Sequence, residues 1–181
     1  MNEATEMDPV ALLRAMETGC RNAAAGLPEN IDPSEEWSGI AFRLGDQQLL
    51  VPVGEVIETL SLPQLTAIPN TADWVNGIAN VRGRLLPVLD LRGLLYGEVA
   101  QSGPRSRVLV IDFDDVYFGL VVDEVHGLRH YPVEACVSAG KRMDDALGPY
   151  VSDGIQDEDV FRGIFSISAL SASGRFMQAA V

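Results

Sequence analysis

The chain has 181 residues, 47% of them hydrophobic, with 13 basic against 26 acidic residues for a net charge of −13. That length and apolar content suit one ordinary domain with a real core and exclude a disordered tail. The acidity argues against nucleic acid and anionic membranes as partners, and no apolar run approaches the roughly 20 residues that cross a bilayer.

In chain order, the first element is an amphipathic helix. Asp8 can cap it, Pro9 suits its first position, and Val10, Leu13, Met16 and Cys20 recur at helical spacing up to Gly26. The opening MNEATEMDP lacks the basic and apolar regions of a signal peptide. Leu27 to Glu36 is polar with two prolines and reads as a linker. The domain division is therefore helix and linker over 1–36 and a folded domain over 37–181.

From Trp37 the pattern turns to strands. Ile40–Leu44 and Gln48–Val53 form a hairpin across Gly45-Asp46, a Gly-first loop that suits a type II′ turn. Val56 to Leu60 is a further strand. Leu62 to Pro69 is irregular, and Asp73 to Asn76 reads as one helical turn before Gly77. An apolar run occupies Asn80 to Asp90, and Asp90 caps a short helix over Leu91–Tyr96 that Gly97 stops. Val108–Phe113 and Val116–Val122 make a second hairpin across Asp114-Asp115. Shorter strands follow at Val125–Tyr131, Cys136–Ala139, Val151–Ile155 and Phe161–Ile167, with a closing helix around Leu170, Phe176 and Met177. Nine or ten short strands with turns every 8–12 residues predict a mainly β barrel or sandwich. No long helix separates strands as a parallel sheet requires.

Several constellations invite a chemical reading. The strand ending Asp112-Phe113-Asp114-Asp115-Val116 resembles the first motif of haloacid-dehalogenase-type phosphatases, with Asp112 as nucleophile and Asp114 as acid/base beside Mg²⁺. Lys141 and Asp144-Asp145 are the further residue types such an enzyme wants. The plainer reading is an acidic hairpin turn, because Tyr117 to Val122 continues as strand where a phosphatase has a helix. His126 and His130 have zinc spacing only on a helix, and Gly127 and Pro132 argue against one. The acidic stretch Asp153 to Asp159 lacks the order of an EF-hand. Cys20 and Cys136 make neither a disulfide framework nor a metal site. With no GxSxG elbow, GxGxxG or P-loop, the residues predict no enzyme, cofactor or metal, and a reducing, cytoplasmic setting.

The most specific stretch is Ile68 to Arg92 (IPNTADWVNGIANVRGRLLPVLDLR), with Gly77, Asn80, Arg82-Gly83, Pro87 and Asp90-Leu91-Arg92 as its fixed points. It resembles the signature of the CheW family of chemotaxis coupling proteins. Phe42 to Asp46, Glu55 to Glu58, Val108 to Val122 with Gly119, Asp123 to Val125, and Tyr150 to Ile155 fit the same pattern. The resemblance covers Trp37 to Leu170. It implies two intertwined five-stranded SH3-like β-barrels and no catalysis. It also implies a scaffold between the regulatory domain of a CheA-type histidine kinase and the tip of a methyl-accepting receptor, recruited to membrane-associated arrays. The N-terminal helix and the ending Phe165 to Met177 look most like the PilI branch, which serves type IV pili and twitching.

By the same resemblance, the partner-binding residues are Val56, Ile57, Glu58, Gly77, Asn80, Arg82, Val108 and Val110. Val56 would give apolar contact, Glu58 a charge that reads the receptor helix, and Arg82 a hinge of scaffold and contact. The residues alone leave Val56 open between core and contact, and Arg82 between contact and turn support. Thr59-Leu60-Ser61-Leu62, with Pro63, departs from the family's polar run there.

Overall fold

The computed structural model describes residues 36–98, 103–113 and 116–179. The expected N-terminal helix, the linker before Glu36 and the Asp114-Asp115 turn lie outside these residues. Alternating apolar residues build β1 (Glu36–Leu44) and β2 (Gln47–Pro52). Between them Gly45 has φ 59 while Asp46 is not left-handed, which is the type II′ pattern. The remaining strands are β3 (Val56–Ser61), β4 (Val75–Val81), β5 (Arg84–Asp90), β6 (Arg107–Phe113), β7 (Val116–Val122) and β8 (Glu124–Pro132). Three short ones follow, β9 (Cys136–Ser138), β10 (Asp153–Asp157) and β11 (Val160–Ile164). The helices are α1 (Leu91–Tyr96), α2 (Ile167–Ser171) and α3 (Gly174–Met177). As the sequence indicates, the Asp90 carboxylate accepts from Arg92 N–H at 2.9 Å to start α1, and Gly97 at φ 71 ends it.

The strands form two mixed sheets, ordered β8-β1-β2-β11-β10-β9 and β3-β6-β7-β5-β4. Each curls in the SH3-like manner, and its end strands are not hydrogen-bonded to one another. The first sheet has six strands rather than five, because the three-residue β9 pairs Cys136 to Ser138 with Ile155 to Asp153. A second difference concerns 73–76. Asp73-Trp74 is a turn, but the chain is already strand from Val75. A register shift between Val75 and Gly77 interrupts the alternation and hides β4 from a periodicity reading.

Three apolar clusters follow from strand alternation. The largest lies between the sheets and joins Phe42, Leu49 and Val51 to Leu109, Ile111, Leu120 and Phe165. Phe42 and Phe165 meet edge to face with centroids 6.3 Å apart. Inside the second sheet lie Ala79, Leu86, Val88, Val108, Val110 and Val121. Inside the first lie Ala41, Leu50, Tyr131 and Ile155. Odd and even residues of β6 thus serve different cores.

Candidate functional site

The β4–β5 hairpin carries the most specific sequence string, and its turn is the centre of the candidate site. Arg82 and Gly83 both take left-handed conformations, φ 51 and 84. This is the two-residue turn whose twist matches paired strands. Asn80 holds it, its Oδ1 accepting from Gly83 N–H at 2.9 Å. At the tip of this turn the Arg82 side chain is 79% exposed.

From there Arg82 reaches across to Glu58 on β3 in a close ion pair. β3 and β4 are the two ends of the five-stranded order, so this pair links strands that share no ladder. The outer edge of β4 is also occupied. Thr66 and Ile78 exchange reciprocal backbone hydrogen bonds, both 2.9 Å. Gly77, φ 133, permits that approach, since a Cβ there would run into the Thr66 carbonyl oxygen. Beside this contact Thr66, Ile68, Pro69, Ile78 and Leu85 line an open apolar cavity of about 360 Å³.

The anticipated residues therefore divide. Ile57, 55% exposed, stands on the surface; Glu58 and Arg82 pair, and Asn80 braces the turn that carries Arg82. Val56 is 7% exposed and belongs to the core between the sheets. Val108 and Val110, which the resemblance assigns to partner contact, are interior residues of the second sheet, 0% and 1% exposed. The reason is topological: β6 sits between β3 and β7, with a core on each side. Gly77 acts through backbone shape. Leu85, 66% exposed beside the cavity, was not singled out from sequence. The adjacent leucines 85 and 86 carry no sign of which faces out, and only the pairing Asn80↔Leu85 decides it.

The phosphatase-like motif has a structural role. Asp112 pairs with Arg84 at 3.2 Å, and the Arg84 guanidinium lies 3.8 Å from the centroid of the Tyr117 ring. β7 follows where a phosphatase needs a helix. Asp144 is engaged elsewhere, accepting from Tyr96 O–H at 2.7 Å and from the Ala146 and Leu147 N–H groups. Burial and that carboxylate push the Tyr96 phenol well up. His130 lies on β8 with Nδ1 2.8 Å from Ser38 Oγ, so the histidines are strand residues.

Residues 38–173 match the model of the CheW-like domain. Protein PilI of Pseudomonas aeruginosa is 40% identical over 173 residues, covering 96% of this chain and 97% of that protein. Protein FrzA of Myxococcus xanthus is 41% identical over 101 residues, 56% of this chain and 62% of FrzA. The crystal structure of the scaffolding protein TtCheW from Thermoanaerobacter tengcongensis superposes with a TM-score of 0.68 at 21% identity, covering 77% of this chain and 94% of that one. None of these relatives is a phosphatase by its printed name. With one domain model spanning most of its length and a full-length relative at this identity, the chain belongs to the CheW family of coupling proteins.

Proposed function

We propose that this chain is a non-enzymatic scaffold that couples a methyl-accepting receptor to a CheA-type histidine kinase in a chemotaxis-like pathway controlling type IV pili and twitching. The observation that carries this reading is the fate of the specific string. Its fixed points fold into one hairpin whose turn presents Arg82 against Glu58, beside exposed Ile57 and Leu85. A rigid turn with an exposed charge pair and an apolar rim suits docking by a partner's helix or strand edge. The likeness to PilI over nearly all of both chains supports the pilus branch.

In this reading Ile57, Glu58, Asn80 and Arg82 touch the partner. Val56, Gly77, Val108 and Val110 set the shape of the surface from beneath. The protein works in the cytoplasm at receptor arrays. Among the described residues no helix is long and apolar enough to cross a membrane. Calorimetric titration of the full chain with the regulatory domain of the kinase encoded beside it tests the proposal. Saturable binding weakened by Arg82→Ala, with an unchanged melt, is expected. No binding to that domain and no co-sedimentation with receptor-bearing membranes would overturn it.

A further inference from the structure

At one end of the first sheet's interior, a cavity of about 360 Å³ is lined by Ala41, Gln48, His126, Arg129, Val160 and Arg162. Its two arginines are cations, and no carboxylate lines it. That is notable in a chain of net charge −13. Arg162 is already engaged, bonded to Asp157 at 2.9 Å and 6.0 Å from the Tyr131 ring centroid. Arg129 is not. Every other arginine among the described residues makes an ion pair or a hydrogen bond. Among the described residues Arg129 makes none, and neither does His126.

The second observation is how these two side chains come together. In β8 they are three residues apart, so regular alternation would send them to opposite faces. Arg129 pairs with Gly39, which puts it on the same face as Ala41, at a stretch of β8 where His126 and Arg129 are both exposed. Between them the register breaks: Ala41 pairs with Gly127 but Phe42 pairs with Val125, leaving His126 as the extra residue of a β-bulge. Gly127 takes φ 83, the conformation that such a bulge needs. The bulge turns His126 into the cavity beside Arg129. An irregularity in the ladder thus gathers two unpaired donors at one place.

We infer that this cavity is a docking site for an acidic segment of a partner polypeptide, separate from the Glu58–Arg82 face. Arg129 and His126 would take the carboxylate, with Gln48 and the free edge of Arg162 beside them. Ala41 and Val160 would pack the aliphatic stem, which a bare inorganic anion would leave unused. An arginine fork matches a carboxylate in shape as well as charge.

The test uses the full chain and a fluorescein-labelled peptide of four alternating Glu and Val pairs, read by anisotropy, with a Gln-Val peptide as control. Saturable binding of the Glu-Val peptide alone is expected. Arg129→Ala and His126→Ala should each weaken it about tenfold, the loss of one charge-assisted hydrogen bond. Arg129→Lys should keep part of the affinity, and all three variants should melt as the parent does. Lys141→Ala, outside the cavity, should bind as the parent does. Equal weakening by Lys141→Ala would mean unspecific charge attraction and overturn the assignment. So would binding of inorganic phosphate with both peptides silent. A dimer lost in Arg129→Ala without peptide binding would give the face to a second copy of this chain, and would also count against the proposal.

Discussion

The five-stranded sheet packs its interior with six small aliphatic residues and ties its end strands together through Glu58 and Arg82. The six-stranded sheet keeps a smaller interior group and leaves β8 exposed from His126 to His130, with donors around an open cavity. Both lean on the same apolar layer, so the contrast lies in how each treats its ends. An unpaired strand edge is a template for another chain unless it is covered or charged. Here one edge is covered by Thr66 and the chain around it. The other carries His126, Arg129 and His130. The difference suggests two kinds of contact: a preformed rigid face on the second sheet and an electrostatic cleft on the first.

The largest test of this contrast removes what the sheets share. Phe165 is fully buried in the common layer against Phe42 and Tyr150. Phe165→Ala should cost about 3–5 kcal/mol. Urea unfolding followed by tryptophan fluorescence and by far-UV circular dichroism should still give one coincident transition. Two separated transitions would show that the sheets unfold independently.

Next in size is Gly119→Ala, which strains the second sheet alone. A Cβ there would come within 2.6 Å of Val108 Cγ1 and 3.2 Å of Leu86 Cδ2, both held in a packed interior. Overpacking of this kind costs about 1–3 kcal/mol. Chemical denaturation would check it, and a stable variant would mean that this interior is looser than its geometry indicates.

Smaller in stability but decisive for function are Arg82→Ala and Glu58→Ala. Their pair is largely solvent-exposed on the arginine side, so each change should alter stability by at most about 1 kcal/mol. Kinase and receptor binding should nevertheless weaken. Variants that unfold outright would make the pair structural.

The smallest effect concerns the connection between the sheets. Glu55 lies between β2 and β3, and its Oε2 is buried without a partner among the described residues. Burial raises its pKa above the ordinary 4.5, opposed by a hydrogen bond from the Ile167 N–H. A raised carboxyl pKa means that the folded state favours the neutral form. This group therefore helps stability most below its unfolded pKa, and the help is lost as pH rises through the folded value. Glu55→Gln should stabilise the protein at neutral pH relative to the parent and make little difference in acid. Thermal melts at pH 4 and pH 7 would read the sign, and equal shifts at both would refute it.

Much of this was legible from sequence where the deciding contacts are local. The Gly45-Asp46 turn, the Asp90 cap with its Gly97 stop, and the β6–β7 strands were all read from residues within a few positions of one another. β4 was not, because its register break masks the alternation that betrays a strand. At the candidate site Glu58, Asn80 and Arg82 come from resemblance; Asn80 braces the β4–β5 turn, and Arg82 pairs with Glu58 on β3. The burial of Val108 and Val110 is not legible from sequence, because an apolar strand looks the same whether one face or both are buried.

By itself, then, the sequence determined the β-rich class, the family through its spaced string, and the hairpin turns, since glycines, prolines and capping side chains act on their own neighbours. Only the tertiary structure decided which strand ends Arg82 and Glu58 would bridge, which core each residue of β6 would fill, and that His126 would share a cavity with Arg129. Those outcomes depend on pairing register, and a shift of one residue sends a side chain to the opposite face of the sheet.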